Sequence, residues 1–109
     1  MFAIVPCPQA LRCFQQLALI EPTQPDWQML VAGCYRRVGN HTASLQIYQE
    51  VHRRFPDHLD CLRFLTRLCL DLDRDSEAHR YAVKLQRAEN AERLVFIINV
   101  KKTAAYTHC

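Results

Sequence analysis

Apolar side chains recur along this chain at helical spacing, in segments separated by short polar breaks. Ala10, Leu11, Phe14, Leu17 and Ala18 stripe the first segment and predict a helix over 9–20. Ahead of it, Pro6 and Pro8 hold residues 1–8 out of regular structure. The break Glu21-Pro22-Thr23-Gln24-Pro25 precedes a second helix, with Asp26 as its predicted N-cap and an end near Val38. Val31, Ala32 and Tyr35 form its apolar face. Ser44, Leu45, Tyr48 and Val51 mark a third helix from about His41 to Arg54, whose closing arginines suit the negative end of the helix dipole. Leu59, Leu62, Leu65, Leu68 and Cys69 give a fourth, starting near Asp57 or His58. Asp71 to Asp75 turns the chain, and Ser76 with Glu77 opens a fifth, which turns Ala78, Ala82 and Leu85 inward with Tyr81 alongside.

The joint between the second and third helices is the most legible. Gly39 adopts the left-handed conformation that ends a helix at little cost, and Asn40 is a strong N-cap for the next one. Small residues at Ala32 and Ser44 allow the two helices to approach closely, and Tyr35 and Tyr48 fill the space beside them.

The same pattern returns after about 34 residues. Ala10, Ser44 and Ala78 share a register, as do Leu17, Val51 and Leu85, and Phe14, Tyr48 and Ala82. Pro22 and Pro56 match just beyond a helix end, with Asn90 at the third position. One chance amphipathic helix accounts for one such column, not for several. The pattern is that of tetratricopeptide (TPR) helical hairpins. The fold class expected is all-α, with about five antiparallel helices forming a short right-handed solenoid. The repeat region covers 9–92: a half repeat at 9–24, a full repeat at 25–58 and a degenerate one at 59–92. Residues 93–109 form a divergent tail. Its run Leu-Val-Phe-Ile-Ile-Asn-Val is unlike the polar cap of a solenoid and either lengthens helix five, packs over exposed core or forms a strand.

Composition narrows the class. The 109 residues allow one domain, and half of them are hydrophobic while Gly numbers only two, which favours helices. A formal charge of +3 permits acidic partners without calling for nucleic acid. No apolar run reaches membrane-spanning length, so no membrane insertion is expected. The opening residues lack the charged segment and long apolar core of a signal peptide. The six cysteines show no zinc-type spacing, and Cys13, Cys34, Cys61 and Cys69 lie at or beside apolar helical positions, so they read as reduced intracellular thiols.

Candidate chemistry is sparse. No phosphate-binding loop, nucleophile elbow or paired metal-ligand spacing is present, and neither cofactor nor metal is expected. Asp71, Asp73 and Asp75 alternate like the start of a calcium loop, but Ser76 and Ala82 occupy the positions that need Gly and Glu. Cys61 lies one helical turn from His58, a weak pairing for catalysis. Trp27, at a hairpin start, reads as core or as a binding anchor. On the TPR register the first helix of each hairpin lines an inner groove. Met29, Gly33, Arg36 and Arg37 come from one repeat and Arg63, Arg67 and Leu70 from the next. Such a groove suits an acidic peptide; the alternative is an ordinary solvated face whose arginine stems cover their neighbours. Met29 and Gly33 replace the first pair of carboxylate-holding residues of chaperone-binding TPRs.

Three runs carry a narrower likeness: FQQLALIEPTQPDWQMLVAGCYRRVGN, YQEVHRRFPDHLDCLRFLTRLCLDL and EAHRYAVKLQRAE. They resemble the last TPR repeats of a subunit family of intraflagellar transport complex B, over roughly residues 9–89. The resemblance implies a non-enzymatic scaffold for the trains that carry cargo along cilia, needed for cilium assembly. It implies other complex B subunits as partners, and the cilium, its basal body or centrosome, and the cytoplasm as locations. The family protein is longer, and its tail is rich in Glu, Lys and Arg where this chain ends in LVFIINVKKTAAYTHC. Two other readings stand beside it: a generic TPR adaptor or co-chaperone, and a truncated product with no independent function.

Overall fold

The computed structural model describes residues 7–107, with side chains described over 9–101. Five helices follow one another: α1 (Cys7–Ile20), α2 (Pro25–Arg37), α3 (His41–Arg54), α4 (Leu59–Asp71) and α5 (Asp75–Thr107). Among the described residues there is no strand. Each helix packs mainly on its neighbours in sequence, which is the stacking of a TPR-like all-α solenoid.

The repeat is written into the backbone as well as the side chains. At the C-terminus of α2, Asn40 N–H donates to Tyr35 C=O and Gly39 N–H to Arg36 C=O. Thirty-four residues on, Arg74 donates to Cys69 and Asp73 to Leu70 in the same way. These are Schellman closures, and both need a left-handed residue. Gly39 supplies it at φ 87°, and Asp73, a residue that tolerates this region better than most, at φ 59°. The joint between hairpins recurs too: Gln24 N–H donates to Glu21 C=O, and His58 to Phe55.

The core forms where the hairpins interlock. Ala32, Leu45, Tyr48, Val51, Cys61, Leu65, Leu68, Cys69 and Ala78 bury together, with Ile47, Phe64 and Tyr81 packed against them. The close approach of α2 and α3 is real: Ser44 is fully buried and its hydroxyl donates to the Ala32 carbonyl at 2.9 Å. Asn40 caps α3 as expected, its side chain accepting from Ala43 N–H at 3.2 Å.

Several helix limits differ from the sequence expectation. Helix α1 begins at Cys7, so Pro8 stands inside its first turn, where a missing N–H costs nothing. Helix α2 begins at Pro25, and Gln24, not Asp26, is its N-cap; Asp26 sits in the first turn, near the positive end of the dipole. Helix α5 opens one residue early, at Asp75, and runs unbroken for 33 residues. The apolar tail therefore lengthens α5. It does not form a strand or fold over the core, because every described residue from Asn90 onward is exposed. Cys34, Cys61 and Cys69 are buried, but Cys13 is exposed, since no described helix lies on the outer side of α1.

Candidate binding cleft

Helices α1, α2 and α4 enclose a cleft of about 520 Å³. Its apolar lining comes from Phe14 on α1, Met29 and Leu30 on α2, Tyr48 on α3 and Phe64 on α4, and Gly33 leaves open space where another residue would project a side chain. Tyr48 and Phe64 stack at 5.4 Å between ring centroids. The Arg36 guanidinium lies 4.6 Å above the Phe64 ring, held by cation–π attraction.

The polar groups divide along the cleft. Asp26, His58 and Asp60 gather where α2 and α4 begin, and Arg36 and Arg37 stand at the end of α2, some ~15 Å further along the axis. His58 organises the first group. Its Nδ1 accepts from Cys61 N–H at 3.1 Å, capping α4, and its Nε2 faces the Asp26 carboxylate at 3.5 Å. That cap explains why His58 and Cys61 lie one turn apart. The Cys61 thiol points inward, donates to the Tyr48 carbonyl at 3.1 Å, and burial pushes it up to about 12. A thiol held protonated is no nucleophile. The Tyr48 phenol is likewise raised by burial, with Arg36 pulling in the opposite direction.

Of the groove residues expected from sequence, the structure brings Met29, Gly33, Arg36 and Arg37 together on the cleft. Arg63, Arg67 and Leu70 are exposed on α4 and do not line it. Arg63 is ion-paired with Asp60 at 2.9 Å and with Glu89 of α5 at 3.3 Å. Trp27 is half-buried at the start of α2. Sequence reasoning missed Asp26, Asp60 and Phe64 as cleft residues. The repeat held the signal, because Asp60 and Phe64 stand 34 residues after Asp26 and Leu30.

No family model matches the chain. A direct match is found to the human protein Intraflagellar transport protein 88 homolog, 50% identical over 74 residues. The matched stretch is 68% of this chain and 9% of the relative's length, so the chain spans a small part of that protein. Over two thirds of its length, then, this helical array is a relative of Intraflagellar transport protein 88 homolog.

Proposed function

We propose that the chain is a non-enzymatic protein-interaction segment of an intraflagellar transport complex B subunit, acting in the ciliary transport that its relative's name describes. The match to Intraflagellar transport protein 88 homolog supports the transport part of this reading, and the α1–α2–α4 cleft supports the binding part: an apolar floor with acidic groups at one end and two arginines at the other. Such a surface takes a short helical or extended segment of a neighbouring subunit, with apolar anchors on Phe14, Met29 and Phe64 and a carboxylate at Arg36 and Arg37. The uneven charge sets the direction in which that segment lies. Cilium, basal body and cytoplasm are the locations that follow from this reading.

The test is capture of complex B subunits by the intact chain and by two variants, Met29→Ala and Arg37→Glu. Arg37 is exposed, so reversing its charge leaves the core alone. Each variant should weaken capture by about tenfold, the loss expected of an anchor contact. Unchanged capture by both would remove the cleft from the interface. Binding of acidic C-terminal peptides with no capture of complex B subunits would favour the generic adaptor instead.

A further inference from the structure

Helix α1 repeats α3 with one neighbour fewer. Ala10, Phe14 and Leu17 share columns with Ser44, Tyr48 and Val51, 34 residues on. In α3 those positions are closed, at 0%, 1% and 2% exposure, because α2 covers one side of the helix and α4 the other. Helix α1 packs mainly on α2, and its three residues stay half-buried. Ser44 shows which side is open, since its hydroxyl meets the Ala32 carbonyl of the helix before it. Ala10 holds that place in α1 and lines the cleft with Cys13 and Phe14.

The α2 wall repeats α4 in the same way. Asp26, Leu30, Gly33 and Arg37 line the cleft, and helical spacing puts them on one stripe, within about 60° of one another. One repeat on, Phe64 holds the place of Leu30. Phe64 is stacked on Tyr48 and covered by Arg36 of α2, whereas Leu30 is 40% exposed. Among the described residues, no helix stands to α1 and α2 as α2 stands to α3 and α4. The relation of α2 to α4 also fixes a direction. Asp26 meets His58 at the N-cap of α4, and Arg36 meets Phe64 further along, so the two helices run parallel. A helix seated likewise runs parallel to α2, with its positive N-terminus toward Asp26 and its negative C-terminus toward Arg37. We propose that the cleft is a helix seat. It takes from a partner protein an amphipathic helix about as long as the 13 residues of α2, and parallel to it. The helix sets a small residue against Ala10, an apolar one between Phe14 and Leu30, and an acidic last turn beside Arg37. This rests on the cleft being the protein-binding surface, and adds the form, the direction and one steric requirement of its occupant.

The probe is a labelled peptide with the sequence of residues 25–37 carrying Arg36→Glu and Arg37→Glu, added to the full chain under reducing conditions. It keeps Ala32, the small residue that meets Ser44 in the array. Fluorescence anisotropy reads its affinity, and circular dichroism reads the helix it gains. Binding should saturate with a gain of helix. Ala10→Phe in the chain and Ala32→Phe in the peptide should each weaken it about tenfold by overfilling the small-residue contact. The peptide variant leaves the fold of the chain untouched. Arg37→Glu in the chain should also weaken binding about tenfold, and the peptide with its natural Arg36 and Arg37 should bind that variant better than it binds the wild-type chain. No binding, binding without a gain of helix, or indifference to both phenylalanine changes would overturn the proposal. Asp26→Lys strengthening binding while Arg37→Glu changes nothing would overturn the direction. Capture of complex B subunits that is weakened by Arg37→Glu but not by Ala10→Phe would keep the cleft as the interface and overturn the helix seat.

Discussion

Single residues decide how tightly the repeats close. Ser44 illustrates the balance: a polar atom in a fully buried site is tolerated because its hydroxyl meets the Ala32 carbonyl, and the corresponding position of the next repeat, Ala78, does without one. Cys61 is the sharper case. Its thiol ordinarily titrates near 9 but is held up to about 12 by burial, so the folded state keeps a proton that the unfolded chain gives up. The stability this contributes is intact below pH 9 and is lost as the pH rises toward 12. Urea midpoints should therefore fall as the pH rises above 9, and Cys61→Ala should flatten that fall; an unaltered slope would assign it to other groups. Little of this was visible in the sequence. The spacing of Cys61 marks it as apolar-facing, but that its thiol meets a carbonyl thirteen positions back depends on how α3 and α4 cross.

At the scale of elements, the helix joints were the most readable feature and the helix ends the least. Gly39-Asn40 is unambiguous, because left-handed backbone and N-capping each select a narrow set of residues. Asp73 does the work of Gly39 one repeat later at φ 59°, yet in the sequence it reads as one of several aspartates in a polar turn. The two closures should respond differently to substitution. Gly39→Ala places a side chain in left-handed backbone and should cost about 1 kcal/mol. Asp73→Ala, which starts from an L-residue already held there, should cost less than half as much, as read from chemical-denaturation curves of the two variants. The apolar tail was ambiguous for a different reason. Its β-branched residues suit a strand as well as a helix, and what settles the matter is that α5 is already nucleated upstream and has only to propagate.

For the whole molecule, stability is a sum over neighbouring interfaces, and the α5 extension adds none within one chain. Ending the chain after Glu92 should leave the thermal midpoint, followed by circular dichroism in dilute solution, within about 2 °C of the full chain. A larger drop would mean that the extension supports the solenoid. The cleft was only half legible at this scale. Its α2 wall follows from helical register, whereas the pairing of Arg63 with Glu89 joins residues 26 positions apart and depends on where α5 comes to rest beside α4. The recurring joints have a consequence of another kind. The turn that leaves α1 at Glu21 and Gln24 has the same backbone hydrogen bonds as the turn that leaves α3 at Phe55 and His58. A second copy of residues 25–58 spliced in after His58 would leave by its own junction to Leu59 and be entered from His58, which holds the place of Gln24 in the turn. The array is thus extensible by whole units, and its length is a quantity that can change without any joint being reinvented.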